Sequence, residues 1–516
     1  MGEFESEFMR ALIEHLPVVV VILPLFGGLL ALFTGMIQRG GGLVAWLWSL
    51  TITAAILACA SLLLWQVQVG GHEVVYRLGS WPEQWGIVYV VDALNAYVIF
   101  TVALLGFLAT LYAKTSVEAE IAHDRHHQFY SVWLLAIAGL LGISVTGDAF
   151  NVYVLLEISS LTVYTLIALG GERDRRALVA SLKYLILGSI GATFILLGIG
   201  YMLMLTGTLN MADMHDQLVQ MHARGELAHN RTVLVGFAFL MVGLCLKMAL
   251  FPLHLWLPNA YTYAPSAVSV LIASTATKVG VYMTFRFVFT IWGGVYDTSE
   301  DMYFLALLAC AGIVLSSVSA IQQFDAKRVL AYSSVGQLAY IVLGFSLVNE
   351  PGVTASVIHI FNHAVVKGGM FMALGAVCLR TGGTTIEHLQ GLGRRMPLTM
   401  AAFTLGGFGL IGVPMTAGFV SKWFLVEGAM QEGLWAIAAV VLLGGLLALI
   451  YIWRLVEIIW LRPPLDPKLV IKEAPLTMLI PMWILIGTSI AFGIDATWTA
   501  ESAQAAARVI LEGAQP

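Results

Sequence analysis

Charge is what this chain has least of. Only 11 % of its 516 residues are Asp, Glu, Lys or Arg, 59 % are hydrophobic, and mean hydropathy is +0.87. A soluble globule carries about twice that charged fraction, so a soluble fold is excluded. Cysteine is scarce too: Cys59, Cys245, Cys310 and Cys378 all stand inside apolar runs without CxxC spacing, which fits packing residues rather than disulfides or metal ligands. With no CxxC and no dinucleotide-binding fingerprint between a strand and a helix, no redox cofactor is expected. Long polar stretches are missing as well. The connections near 68–85, 114–128 and 207–231 are too short for a soluble domain. The acidic "MGEFESEF" stands where a signal peptide would be basic, and no small-residue cleavage site follows, so no cleaved leader is expected.

What is present is apolar sequence in lengths that cross a bilayer of roughly 30 Å. Such runs recur near 16–36, 43–67, 86–113, 129–146, 149–170, 178–206, 232–251, 265–291, 303–321, 328–348, 353–379, 397–430, 434–461 and 475–495, predicting an all-α polytopic membrane protein of about fourteen helices. Basic residues gather in alternate loops: Arg39; Lys114 and Arg125; Arg173, Arg175 and Arg176; Lys327 and Arg328; Arg380, Arg394 and Arg395; Arg462, Lys468 and Lys472. Those loops are expected to be cytoplasmic, with both termini outward.

Faint self-similarity divides the runs. "LLAIAG" at 134 returns as "LLACAG" at 307, "LEISSL" at 156 as "LAYSSV" at 330, and Lys247 as Lys422, all at offsets of 173 to 175 residues. Five helices separate the copies, and an odd number turns the second copy upside down, which is the pattern of inverted-repeat transporters. The expected organisation is 1–128 (helices 1–3), 129–291 (first repeat, helices 4–8), 303–461 (second repeat, helices 9–13) and 475–516 (helix 14 and a short tail). Helices 7 and 12 are expected to be broken, at Phe251-Pro252 and in "GVPMTAG" from Gly412 to Gly418. Backbone freed at membrane depth survives only where protein or a wet cavity satisfies it, so the breaks suggest a hydrated interior.

Charges inside the runs stand out against this background. Glu157, Lys183, Lys247, Lys278, Lys367 and Lys422 each interrupt an apolar stretch. An ionised group at mid-membrane costs at least a few kcal/mol, so several together imply a role or strong pairing. Glu157, Lys247, Lys278 and Lys422 read as functional, Arg286 and Arg454 near helix ends as structural. His359, His363 and Lys367 follow at spacings of four and stack on one helix face. Histidine exchanges protons near neutral pH. Two histidines can also share a metal ion, yet no third ligand of suitable type stands nearby and the neighbouring lysine disfavours a cation. Histidines that only hydrogen-bond a neighbouring helix fit the pattern equally well. Asp92 and Asp148 lie near outer interfaces, where a capping or solvated role is expected, and Asp325 stands beside Lys327 and Arg328 as their pairing partner.

"TGDAFNVYVLLEI", "FPLHLWLPNAYTYAPSAVSVLIASTATKVGVY", "DAKRVLAYSSVGQLAYI", "FNHAVVKGGMF" and "GVPMTAGFVSKW" together resemble the antiporter-like subunit family shared by Mrp-type cation/proton antiporters, respiratory complex I and membrane-bound hydrogenases. The first of these and "LWLPNAYTYAPSAVS" look most like the D-type member of the Mrp antiporter, while Asn259 stands where complex I members commonly carry an acid. The resemblance implies a non-enzymatic transport subunit of a bacterial inner membrane, exchanging protons for Na⁺ or another monovalent cation. It further implies no cofactor, and partners that are a homologous large subunit and small membrane subunits. By the same resemblance Glu157 and Lys247 match the family's buried pair, Lys278 and Lys422 its further lysines, and His359, His363 and Lys367 its hydrophilic axis; Lys183 is similar to a lysine of some members. A proton-pumping subunit of a redox complex is the alternative. A carboxylate about 4 Å from Lys247 would be worth roughly 4 kcal/mol at an effective dielectric of 20, enough to switch the lysine between holding and releasing its proton.

Overall fold

The computed structural model describes residues 14–37, 42–82, 86–227, 230–293, 295, 299–466, 468 and 470–512. Single turns apart, the chain runs α1 (Leu16–Ala31), α2 (Gly42–Gly70), strands β1 (Val74–Arg77) and β2 (Val88–Val91), α3 (Ala93–Glu120), α4 (His126–Val145), α5 (Ala149–Ala168), α6 (Arg176–Thr206), α7 (Met211–Ala223), α8 (Arg231–Lys247) and α9 (Leu257–Tyr263). It continues with α10 (Ser266–Ile291), α11 (Ser299–Ile321), α12 (Ala326–Ser346), α13 (Glu350–Thr381), α14 (Pro397–Ile411), α15 (Ala417–Gln431), α16 (Trp435–Trp460), α17 (Leu476–Ile494) and α18 (Thr497–Glu512). Among the described residues, 11 helices are long and apolar enough to cross a membrane. The first, seventh and twelfth apolar runs are the ones that form shorter pieces: α1, then α8 with α9, then α14 with α15.

Four elements were not in the sequence reading: β1, β2, α7 and α18. The third run begins with β2, which pairs antiparallel with β1 from Val74 opposite Val91 to Arg77 opposite Val88. α3 starts only after Asp92, whose carboxylate accepts from the Leu94 and Asn95 backbone N–H groups at 2.9 and 3.1 Å. The apolar, β-branched "VYVV" is hard to tell from a helix start by hydropathy alone. The polar connection after α6 holds α7, capped by Asn210, and the expected tail holds α18, whose Trp498 packs against Tyr97, Phe361 and Phe492.

Helices are layered by polarity. In the apolar stretches of α10 and α12, 94 % of residues are buried, against 33 % in α6 and α16. α13 runs through the middle, packed by α12, α14, α15, α17 and α18. With no hydrophobic drive between helices in lipid, close approach depends on small residues. α6 and α8 show it: a Cβ at Gly243 would stand 2.7 Å from the Gly191 carbonyl oxygen, and one at Gly198 would stand 3.0 Å from that of Gly236. All four cysteines are free.

Ionic contacts tie the layers. Arg286, near the end of α10, donates to Asp92 at 2.6 Å and to the Tyr282 hydroxyl at 3.0 Å, both ion-pair side chains being nearly buried. Asp92 therefore caps a helix as expected but is paired rather than solvated. Arg454 donates to the Ile321 and Gln323 carbonyls at 2.6 and 3.2 Å, closing the end of α11. Asp325 does not pair with its basic neighbours; it caps α12 through the Arg328 backbone N–H at 3.2 Å and accepts from the Thr384 hydroxyl at 3.0 Å. Capping wins because the backbone donors of a first turn have no intrahelical partner. Arg286→Met should leave the Asp92 carboxylate buried without its charged partner and cost about 3–5 kcal/mol. Asp92→Asn combined with Arg286→Met should recover much of that loss, as read from thermal melting of the detergent-extracted protein by size-exclusion chromatography.

Candidate functional site

The first break in the helical ladder comes earlier than Phe251-Pro252. α8 stops at Lys247, and Ala249 takes a left-handed backbone with φ of 59°. After the last ordinary bond, from the Met248 N–H to the Leu244 carbonyl at 2.9 Å, Cys245 accepts from the Leu250 N–H at 2.9 Å and Leu246 from the Trp256 indole at 2.9 Å. Protein, not a wide aqueous space, satisfies this backbone. The cavity beside it, lined by Lys247, Tyr184, Ser159 and Trp256, has about 20 Å³, room for about one water. Lys247 donates to the Ser160 hydroxyl, with its ammonium 5.9 Å from the Tyr184 ring centre. Glu157 lies on the same helix as Ser160, one turn before it, and does not come within ion-pair distance of Lys247.

The next lysine sits beside an irregularity of a different kind. Ile272–Ala276 of α10 is wound as a π-helix, a widening that shifts carbonyls off the ordinary ladder and recurs at functional sites. Lys278 turns back along this helix and donates to the Ala273 carbonyl. It is 1 % exposed.

α13 carries the stacked face. The His359 and His363 rings lie 6.0 Å apart with 14° between their planes. His359 has a partner at each nitrogen, Ser421 Oγ at 2.7 Å on Nδ1 and Gln337 Oε1 at 3.0 Å on Nε2. His363 is buried with neither nitrogen hydrogen-bonded within the protein. One turn further, Lys367 donates to the Leu330 carbonyl at 2.8 Å and the Ser333 hydroxyl at 2.9 Å. Lys278 lies close enough to His359, His363 and Lys367 to act on each electrostatically.

The second break separates α14 from α15. Gly412 has φ of 87°, and a Cβ at Gly418 would fall 1.9 Å from the Gly409 carbonyl oxygen, so only glycine lets the two halves approach. Lys422 reaches back to the stranded end of α14, donating to the Leu410 and Ile411 carbonyls at 2.8 and 2.9 Å. A cation there also meets the negative end of the helix dipole. The Tyr340 ring, 4.9 Å from that ammonium and 5.9 Å from the His359 ring, lies between the two.

Lys247, Lys278, His359, His363, Lys367 and Lys422 thus share the interior with Glu157 at its edge, while Lys183 faces outward from α6 between the exposed Leu182 and Ile186. Sequence reasoning missed the groups that hold them: Ser160, Ser333, Gln337 and Ser421. Hydroxyls in apolar helices usually bond their own backbone, so spacing alone did not mark these as partners. Also unforeseen is a cavity of about 820 Å³ at one end of the bundle, lined by Glu120, Arg173, Arg176, Lys327 and Arg328 among others. Arg173 pairs there with Glu120 at 3.2 Å, and Lys327 donates to the Ser266 hydroxyl at 3.2 Å. Asp174 on its rim is held below the usual carboxylate range by hydrogen bonds from Arg176.

Residues 146–448, from the cap of α5 into α16, match the family described as NADH:quinone oxidoreductase/Mrp antiporter, transmembrane. The chain belongs to this family. As an antiporter-like membrane subunit it is a multi-pass component of ion and proton transport assemblies. It is 39 % identical to NADH-quinone oxidoreductase subunit N of Desulforudis audaxviator, over 91 % of this chain and 94 % of that protein. It is 28 % identical to the D-type Na(+)/H(+) antiporter subunit of Bacillus subtilis, over 96 % and 97 %. Among solved structures it superposes with TM-score 0.87 and 32 % identity on a chain of the membrane-bound sulfane sulfur reductase, an archaeal respiratory membrane complex, covering 96 % of this chain and 98 % of that one.

Proposed function

We propose that this chain is the proton-translocating, antiporter-like subunit of a multisubunit Na⁺ (monovalent cation)/H⁺ antiporter. Protons pass along Glu157, Lys247, Lys278, His359, His363, Lys367 and Lys422. The observation that carries the reading is the chemistry of the acceptors: Lys247, Lys278, Lys367 and Lys422 are all buried or nearly so, and each donates to neutral oxygens. Among the described residues none has a carboxylate within 4.0 Å. A carboxylate would favour the charged lysine and hold the proton, whereas a hydroxyl or carbonyl accepts from an ammonium and from an amine alike. A lysine so held is free to change charge.

In this reading the fourteen apolar runs are fourteen spans, and 129–291 and 303–461 are two inverted five-helix repeats, flanked by 1–128 and 475–516. Each repeat contributes a broken helix and a mid-membrane lysine. The partners are a homologous large subunit and small membrane subunits, in a bacterial inner membrane with both termini outward. A second reading, a proton-pumping subunit of a complex I-like or hydrogenase redox complex, is favoured by the 39 % and 32 % identities to chains of respiratory assemblies. The same relay serves it, with electron transfer in partner subunits as the driving force.

Exchange in everted vesicles, followed by dye quenching on addition of NaCl, KCl or LiCl, separates the two. The antiporter reading expects cation-dependent dissipation of a pH gradient when the chain is expressed with its gene neighbours and none when it is reconstituted alone. Robust exchange by the purified chain would refute the multisubunit claim. Lys422→Ala and Lys247→Ala should each block proton passage to a similar degree, and the double variant should be little worse than either, because steps in series are not additive. Wild-type exchange in Lys422→Ala takes that residue off the path. Glu157→Gln should abolish exchange while immunoblots show normal subunit abundance, and Glu157→Asp should keep part of the rate. Normal exchange at normal abundance in Glu157→Gln would remove the carboxylate from the mechanism.

A further inference from the structure

His359 is held differently from every other titratable group on the axis. Two helices present it with a partner at each ring nitrogen: Gln337 of α12 at Nε2, 3.0 Å away, and Ser421 of α15 at Nδ1, 2.7 Å away. All three side chains are at least 96 % buried. A neutral imidazole has one N–H donor and one acceptor, and the partners decide which nitrogen carries the hydrogen. A backbone carbonyl or a carboxylate at either place would fix one tautomer. A hydroxyl and a primary amide do not, because each offers both a donor and an acceptor.

Both tautomers are therefore satisfied in this site. With hydrogen on Nε2, that N–H donates to the Gln337 carbonyl oxygen and Nδ1 accepts from the Ser421 hydroxyl. With hydrogen on Nδ1, that N–H donates to Ser421 Oγ. The Ser421 hydrogen then turns to the Gly418 carbonyl, 3.2 Å away, and a flipped Gln337 amide donates to Nε2. The alternative acceptor for the serine is already in place one turn back on its own helix.

We propose that Gln337 and Ser421 form a tautomer switch on His359, so that a proton taken up at one ring nitrogen is released from the other. The inference rests on the reading of His359 as part of the relay. The Lys422 ammonium supplies one proton by way of the Ser421 hydroxyl, which passes its own hydrogen to the Nδ1 lone pair it was bonded to; this leaves a neutral lysine amine and an imidazolium whose two N–H groups donate to Gln337 Oε1 and Ser421 Oγ. The Nε2 proton then passes to a neutral Lys278 amine, which becomes an ammonium, as the Gln337 amide turns aside. The ring ends neutral in the other tautomer, one proton has crossed it, and an amide flip with a hydroxyl rotation matches the partners to the new state. The charged and titratable groups that face the ring are His363 on its own helix, Tyr340 of α12, Lys422 of α15 and Lys278 of α10. None of them bonds to either ring nitrogen, so the ring's tautomer is set by Gln337 and Ser421 alone.

The decisive variant is Gln337→Glu, in the full complex, with exchange followed by dye quenching in everted vesicles on addition of NaCl or KCl from pH 6 to 9. A carboxylate still accepts from Nε2–H but cannot donate to it. The switch predicts a loss of at least about tenfold at alkaline pH, recovering towards acid pH as the carboxyl gains a proton and becomes a donor again. A helix-tethering role predicts a wild-type rate and pH profile for Gln337→Glu, and that result overturns the proposal. Ser421→Ala should lose about tenfold at every pH and Ser421→Thr should keep about a third of the rate or more. If Gln337→Glu does not assemble, the serine pair decides, and equal rates in Ser421→Ala and wild type overturn the switch. His359→Ala separates the relay from the switch. Wild-type exchange in that variant removes the relay reading together with the inference, whereas a dead His359→Ala beside fully active Gln337→Glu and Ser421→Ala removes the inference alone.

Discussion

An ammonium placed inside a membrane protein needs acceptors, and the choice of acceptor decides what the lysine can do. Here every axial lysine is held by neutral oxygens, and those oxygens come from places where the regular helix is disturbed or where a hydroxyl has been set on a neighbour. Lys422 uses the stranded carbonyls of α14. Lys278 uses a carbonyl inside a π-helical stretch. Lys247 and Lys367 use Ser160 and Ser333, and Lys367 adds the Leu330 carbonyl, the one acceptor taken from an undisturbed stretch. A carbonyl at mid-length in a regular helix is already bonded four residues on and offers only its second lone pair. The breaks, the π-helix and the serines are different solutions to one requirement, and the burial of α10, α12 and α13 behind α2, α6 and α16 follows from keeping them out of lipid.

The lysines and histidines were legible in the sequence because a charge in an apolar run is rare and costly. Their partners were not. Ser160, Ser333 and Ser421 are single hydroxyls among many, and which of them also meets a lysine or histidine is decided by the facing helix; Ser160 and Ser421 still bond the Leu156 and Gly418 carbonyls of their own helices. Gln337 sits amid "AYSSVGQLAY", where nothing distinguishes a partner of His359 from a packing residue. The long apolar helices were likewise readable from length and hydropathy, while β1, β2, α7 and α18 were not. α7 and α18 are mixed in polarity, β1 is a four-residue strand within a connection, and β2 is short enough for hydropathy to merge it with the helix that follows. Glu157 shows a different limit: its type and position suggested an ion pair with Lys247, and Ser160, one turn along the same helix, took the contact.

The two interrupted helices are related less simply than their lysines suggest. Lys247 is the last residue before its break, whereas Lys422 lies beyond its break and reaches back across it. At the first break the Cys245 and Leu246 carbonyls are occupied by a backbone N–H group and the Trp256 indole, groups that keep their hydrogens. At the second, two carbonyls are occupied by Lys422. In the proposed relay, loss of its proton would weaken the contact that closes the end of α14 and so would couple the charge of Lys422 to the geometry of its break.

That asymmetry explains why the histidine face belongs beside α15. His359 contacts Ser421, the residue before Lys422, and Tyr340 lies against both the imidazole and the ammonium. Any movement of α15 that accompanies a change of charge at Lys422 must also move Ser421 relative to the His359 ring. Gln337, on the separately packed α12, holds the opposite nitrogen from a different body. The ring is therefore gripped by two helices, of which α15 carries a lysine directly beside its contact residue, whereas the lysine of α12, Lys327, lies at the helix start, ten residues from Gln337. Displacement of α15 would change the hydrogen bond at Nδ1 while leaving that at Nε2, so in the proposed relay a change of charge at Lys422 would reach one face of the histidine and not the other.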